Sequence, residues 1–560
     1  MSGSALSVSQ LVNQQVKSGS EQTPESSSFD SMSTLALPAV VLGFAALVPI
    51  WFSFDHRIPT IDESGHILNA FTYADLFRHP RLLRVEWWHQ ILSVNSFYPP
   101  FAHMTNGMAK AIFGGSRSVD IAVLTFWNAV LSLSVFGISL RLTKSKLSAL
   151  MSAIMVNLYP ELALLNRSFW LDFPLISMIA LGLFSLFNFR AKPNWIRALV
   201  AGIVLGFACM TKQIAAAYLA LPALFVFAEP IAGRTKYLAD SVKVLFAGVV
   251  SIAIGAPWFI LNAEKAKLMA DDCAVHISQP QTFAGNLDFY SSALPVLMSP
   301  LLVAFMVGAI VFSWQTVSRQ LLPVVLSAVG GVLAVSTLSW ITPKMQYIAP
   351  ALITCAVVSG TCLAGMFEHK SKLIRVLGGV FLVAAVAQIL SLELAPYPVS
   401  QPEQLADYAK VLNNRIAEPR LGMTLVNPSP AEDWGQYWAL KQVEQADKKA
   451  PVWINILSNS PDLNVHTFEL LVHDLNMAAK PTTSRIYTIG GDTATFSPTQ
   501  ALYYQWYLIQ SENHYQGFAN ASAEKAFEQL KNFVKTDSRF KLVGTHGLPD
   551  GSTLSLYRQK

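Results

Sequence analysis

The spacing of its apolar runs constrains this chain most. A helix that crosses a bilayer needs about 20 predominantly apolar residues. Eleven stretches are candidates: 35–54, 119–141, 147–165, 170–189, 197–211, 214–229, 244–261, 293–313, 321–341, 347–367 and 373–393. The hydrocarbon core offers no water to backbone polar groups, so such a chain folds as a bundle of helices whose amides bond internally. Composition agrees: of 560 residues, 52% are hydrophobic and only 13% charged, about half the roughly 25% of an ordinary soluble chain. A disordered or collagen-like chain is excluded. Cys209, Cys273, Cys355 and Cys362 are too few and too scattered for a disulfide or zinc framework.

Positive residues set the orientation, since cytoplasmic loops carry the excess of Lys and Arg. With the N-terminus in the cytoplasm, the inside loops hold Arg141, Lys144, Lys146, Arg190, Lys192, Arg197, Arg234, Lys236, Lys243, Arg319, Lys370, Lys372 and Arg375. The short outside turns hold only Arg167, Lys212 and Lys344. This register predicts a disordered cytoplasmic tail over 1–34, a membrane module over 35–395 with a long first outer loop over 55–118, and an extracytoplasmic region over 396–560. The first apolar run begins late, lacks a basic leader and ends in Trp51-Phe52, so no cleavable signal is expected. The C-terminal region reads as a small α/β domain. Helices are expected near Glu403–Ile416, Val465–Ala478 and Glu524–Phe533. Strands are expected at Val452–Leu457, Arg485–Ile489, Phe540–Val543 and Thr553–Tyr557, with Asp550-Gly551 as a turn.

Chemistry-bearing residues gather in the first outer loop. Thr60 and Glu63 form a capping-box pattern that starts a helix. Ile67, Ala70, Phe71, Ala74 and Phe77 give it an apolar stripe, and Asp62, His66, Asn69 and Tyr73 share another face. Acidic residues in a first turn also favour the helix dipole, which is the purely structural explanation of Asp62 and Glu63. Further on, Trp87 and Trp88 suit an interfacial anchor. Pro100 followed by Phe101, Met104, Met108 and Ile112 suits a helix lying in the outer membrane surface. Arg167, Lys212 and Lys344 are the outer-side cations that topology leaves unexplained; snorkelling to the interface is their bland alternative. Asp172 lies near the outer end of a span, where a charge is costly unless paired, and a structural ion pair with Arg167, five residues away, is the main alternative to a role in binding. Asp271, Asp272 and His276 match no metal template.

Three motifs, in this order and topology, resemble the GT-C superfamily of glycosyltransferases: Asp62-Glu63 just after the first span, Tyr98-Pro99-Pro100 before a helix ending Ile112-Phe113-Gly114, and Asn166-Arg167 followed by Leu171-Asp172. The branch resembled contains protein O-mannosyltransferases and the aminoarabinose transferase acting on lipid A. The resemblance implies a fold of about eleven transmembrane helices and a sugar moved from a polyprenyl-phosphate carrier to an acceptor hydroxyl on the extracytoplasmic face. Asp62 would be the general base, with Glu63 or His66 orienting it. Aminoarabinose transferases place a Lys before the Pro-Pro; Tyr98 stands there in this chain. With Tyr98, the residues Arg167, Asp172, Lys212 and Lys344 are the expected substrate-binding set.

The expected partners are therefore the lipid-linked donor, membrane lipids and a glycan, lipid or protein acceptor, with no nucleic acid. No metal or organic cofactor is expected; the polyprenyl-phosphate-linked sugar is a co-substrate. The closing Leu548-Pro549-Asp550-Gly551-Ser552 run resembles the ends of bacterial members, so a bacterial plasma membrane is the expected location. The alternative is a multi-pass transporter or flippase of a lipid-linked or polar substrate. Transporters place charges at mid-membrane in repeated halves, whereas the charges of this chain gather at one face.

Overall fold

A computed structural model describes residues 26–231, 237–276, 282–312, 321–338, 343–394, 428, 432–447, 452–458, 463–475, 477, 479–482, 496–511 and 521–560. The expected helix near Glu403–Ile416 and strand at Arg485–Ile489 fall outside them, as do residues 1–25. Helix α1 (Ser26–Phe54) leads into α2 (Ile61–Arg78), α3 (Val85–Ser93), α4 (Phe101–Phe113) and α5 (Arg117–Thr143). Then follow α6 (Lys146–Val156), α7 (Pro160–Asn166), α8 (Asp172–Ala191), α9 (Trp195–Cys209), α10 (Ala215–Ile231) and α11 (Tyr237–His276). The module closes with α12 (Phe283–Met298), α13 (Pro300–Phe312), α14 (Leu322–Ser336), α15 (Leu352–Phe367) and α16 (Lys372–Leu394).

Among the described residues six helices are long and apolar enough to cross a membrane, or eight if each of two bent pairs is one span. The expected runs 147–165 and 293–313 are not straight. The first breaks by 65° between α6 and α7, the second by 108° between α12 and α13. Each new helix begins at a proline, which supplies no N–H and disfavours helical backbone in the residue before it. Ser299, ahead of Pro300, takes a left-handed φ of 75°. At the first break Asn157 replaces lost backbone partners: its Nδ2 donates to Ala153 O at 2.8 Å and to Ser132 Oγ at 2.9 Å. Helix α8 is the hub, 83% buried, while the apolar stretches of α11 and α16 are 17% buried, as helices facing lipid would be.

The C-terminal region is an α/β domain with a five-stranded sheet in the order β2-β1-β3-β5-β4, built from β1 (Val452–Leu457), β2 (Ala479–Thr482), β3 (Trp506–Gln510), β4 (Phe540–Gly547) and β5 (Thr553–Gln559). Strand β1 runs parallel to β2 and β3; β5 runs antiparallel to β3 and β4. Helices α17 (Gln436–Ala446) and α18 (Val465–Asp474) bury Leu440, Phe468 and Leu471 in one core with Ile454, Trp506 and Leu556. Helix α19 (Ala521–Thr536) buries Phe527 and Leu530 in another with Tyr507 and Ile509. The domain docks through α18 on α1 and α2. Leu470 joins Trp51, Phe52, Ile67 and Phe71 in one cluster, and the rings of Phe71 and His473 are 3.7 Å apart.

Candidate active site

The local sequence builds α2 around Glu63. Its Oε2 accepts from Thr60 N–H at 3.0 Å and from the Thr60 hydroxyl at 2.8 Å, closing the capping box. Its Oε1 accepts from Phe169 N–H at 3.1 Å and from Arg57 Nη2 at 3.4 Å. Glu63 is buried; Oε2 closes the helix start and Oε1 ties it to the loop after α7. Beside it, Asp55 is buried and meets Arg57 and Arg117, each at 3.3 Å. Arg57 also donates to the Arg167 carbonyl at 3.2 Å. Asp62, one residue away from Glu63, is exposed and makes no hydrogen bond or ion pair with the described residues.

One turn on, His66 Nδ1 lies 3.0 Å from Nε2 of the buried His103 on α4. The two helices approach closely because of Gly107: a Cβ there would sit 2.4 Å from Tyr73 Cβ and 2.9 Å from Ala70 O. Burial, then the positive charge of Lys212, then His466 of the docked α18, hold His66 down at about 3. Burial and His66 push His103 down as well. Both rings are therefore neutral at ordinary pH.

Lys212 sits in the turn between α9 and α10. Its Nζ donates to Asp172 Oδ1 at 2.7 Å and lies 5.9 Å from the Tyr98 ring and 5.6 Å from the Tyr347 ring. The Tyr98 ring in turn meets the edge of His66 at 5.5 Å. The Tyr98-Pro99-Pro100 segment is pinned to the same turn, Phe101 N–H donating to Met210 O at 2.9 Å and Gln213 Nε2 to Phe97 O at 2.8 Å. His66, Tyr98, Asp172 and Lys212 are thus brought together.

Arg167 is not part of that group. It is buried and donates to Glu393 Oε1 on α16 at 2.8 Å. The alternative Arg167–Asp172 pair does not form; two others do, because α16 brings a carboxylate to Arg167 while the α9–α10 turn brings Lys212 to Asp172. Lys344 is partly exposed, just before the 3-10 turn Met345–Tyr347, and makes no ion pair with the described residues. The side chains of Asp271, Asp272 and His276 lie outside the described residues. Among the described residues no group of three metal-ligating side chains occurs.

Sequence reasoning did not single out Asp55, Arg57, His103, Lys110, Asp120 or Glu393. Lys110 Nζ donates to Asp120 Oδ2 at 2.8 Å with both side chains buried. The signal was present: Asp120 and Glu393 stand at the ends of apolar runs. The α4 stripe also orients differently from a simple surface helix. Met108, Ile112 and Phe113 are exposed, while His103, Gly107 and Lys110 face inward. The polar face of α4 packs inward, and the apolar residues of its last turns are left exposed.

The helical membrane module and the C-terminal α/β domain now stand beside the resemblance that the sequence motifs carry to the GT-C glycosyltransferases. The chain resembles that superfamily. Its residues 78–266 match the family model described as dolichyl-phosphate-mannose-protein mannosyltransferase. The crystal structure of ArnT from Cupriavidus metallidurans in the apo state is similar, at a TM-score of 0.53 and 14% identity, covering 94% of this chain and 98% of that one. ArnT bound to undecaprenyl phosphate is similar at 0.53 and 13%, covering 93% and 97%. The archaeal oligosaccharyltransferase AglB from Archaeoglobus fulgidus, in complex with an inhibitory peptide and a dolichol-phosphate, is similar at 0.51 and 14%, covering 93% and 74%. No curated protein sequence matches the chain. At these identities the structural likeness defines the fold.

Proposed function

We propose that this protein transfers a sugar from a polyprenyl-phosphate carrier to an acceptor hydroxyl at the extracytoplasmic face of the membrane. The observation that carries the reading is the division of charge around α2. Asp62 is exposed and without a partner among the described residues, while Lys212 is held by Asp172 beside the neutral His66. Asp62 takes the proton of the acceptor hydroxyl. The acceptor oxygen bonds to the anomeric carbon, the bond from that carbon to the phosphate oxygen breaks, and the carrier phosphate leaves with the electron pair. Lys212 meets the charge that develops on the phosphate, where fixed cations stabilise a transition state strongly. Asp172 holds Lys212 in place, and the Tyr98 and Tyr347 rings flank it. Lys344 supplies a second cation. Glu63 and Arg167 hold the fold together beside this site, through Phe169 and Glu393.

The ArnT and AglB structures that this fold resembles were solved with undecaprenyl phosphate and dolichol-phosphate respectively, which supports a lipid-phosphate donor. The test is transfer from radiolabelled polyprenyl-phosphate sugar in membranes containing the wild type or Lys212→Met. Loss of transfer by about 10²–10³ is expected, the effect of removing one donor to a developing anion. Wild-type rates in the variant would refute the assignment of Lys212.

A further inference from the structure

Behind the imidazole pair lies a cavity of about 40 Å³, bordered by His66, Ala102, His103, Asn106, Trp127 and Trp170 among others. Four of these residues carry a buried polar atom with no hydrogen-bond partner: His103 Nδ1, Asn106 Oδ1, Trp127 Nε1 and Trp170 Nε1. His103 and Trp127 are each 2% exposed. Orphaned buried polar groups are rare and costly, and four around one small space mark a site made for a polar guest.

Resting on the carrier-dependent transfer proposed above, we propose that this cavity is a subsite for one hydroxyl group of the transferred sugar. The donor set selects the guest. Indole N–H groups only donate. Asn106 is fixed in orientation, because its Nδ2 donates to Asp120 Oδ1 at 2.8 Å, so its Oδ1 is left to accept. A hydroxyl accepts from two donors and donates one proton, which satisfies the two indoles and the amide oxygen, three of the four orphaned atoms; His103 Nδ1 lies outside this match. A carboxylate has no proton for Asn106, and an ammonium has no lone pair for the indoles. Asp120 adds no unbalanced charge, since Lys110 neutralises it at 2.8 Å.

Size points the same way. One water needs about 10–15 Å³, and pockets enclosing a whole ligand run to about 300–1,000 Å³. The cavity therefore takes a single arm of a sugar, with the ring remaining outside. His66 borders the cavity and also meets Tyr98, which lies beside Lys212. The cavity thus adjoins the position assigned to the phosphate, and a sugar esterified to that phosphate has its hydroxyls within reach.

The test measures affinity of the full chain in nanodiscs for bare polyprenyl phosphate and for polyprenyl-phosphate-linked mannose, glucose and aminoarabinose. Trp127→Phe and Trp170→Phe each remove one N–H and keep an aromatic ring; Ala102→Val fills the space without touching either indole. In the wild type at least one sugar-bearing carrier is expected to bind more tightly than the bare carrier. Each Trp variant should lose up to about tenfold of that increment, one hydrogen bond's worth. Ala102→Val should abolish it, and the bare carrier should bind all variants equally. Equal binding of bare and sugar-bearing carriers by the wild type overturns the subsite and leaves the carrier reading intact. So does an increment that survives all three substitutions; the cavity then holds water alone. A wild type that binds no bare carrier overturns the carrier reading, and the subsite with it.

Discussion

The face of α2 that carries Glu63 and the face that carries Asp62 and His66 use charge in opposite ways. Around Glu63 every charged group is occupied. Asp55, Arg57 and Arg117 form one network, Arg167 pairs with Glu393, and Lys110 with Asp120. On the other face Asp62 has no partner among the described residues, the imidazoles are neutral, and Lys212 keeps donor capacity beyond its one bond to Asp172. In a chain with so few charges, the occupied ones hold loops and helix ends together and the available ones can meet a substrate. Residue type and position along the chain do not separate the two groups; partner count does.

The largest effect expected from breaking this contrast is on chemistry. Asp62→Asn should lower transfer by about 10²–10⁴, the usual contribution of a general base, with thermal stability unchanged. A transfer assay paired with a melting curve checks both halves. On the occupied side the effect should be on stability. Glu393→Gln leaves Arg167 buried without a counter-charge, and breaking such a pair costs about 3–5 kcal/mol. The double variant Arg167→Met with Glu393→Met should regain much of that loss. A double variant as unstable as the single would show that the pair is not what holds α16 to the loop after α7.

A smaller effect is expected where the two faces are held in register. Gly107→Ala puts a methyl against Tyr73 and the α2 backbone and should cost about 1–3 kcal/mol, as overpacking does. It should also separate His66 from His103, read as a change in the pH behaviour of their ring proton resonances. The smallest effect is on acid stability. His66 stays neutral in the fold down to about 3, whereas in the unfolded chain it takes a proton below about 6.5. The unfolded state thus binds more protons in that window, so stability falls as pH drops from about 6.5 towards 3. His66→Gln should lose less Tm than the wild type between pH 7.5 and pH 5. An equal loss would mean that His66 does not carry this dependence.

Much of the fold could be read from the chain. The apolar runs located the helices, and the capping box at Thr60 and the β1, β4 and β5 strands fall where the pattern placed them. The bends at Pro160 and Pro300 were obscured because apolar content continues through them. The pairing of charges was not legible, since Arg167 and Glu393 are 226 positions apart and only tertiary packing decides which carboxylate a buried guanidinium reaches. His103 was missed for a related reason. It lies opposite the Phe101, Met104, Met108, Ile112 stripe, and an apolar stripe alone says nothing of what the other face of a helix packs against.

The sharpest test sets Asp62→Asn beside Glu63→Gln, adjacent carboxylates with the same change of charge. Transfer from labelled polyprenyl-phosphate sugar and Tm are measured on each. Asp62→Asn should keep the wild-type Tm and lose transfer, while Glu63→Gln should lower Tm and lose transfer only in proportion to the folded protein lost. Wild-type transfer by Asp62→Asn, or a Glu63→Gln protein as stable as the wild type yet inactive, would contradict the assignment of roles.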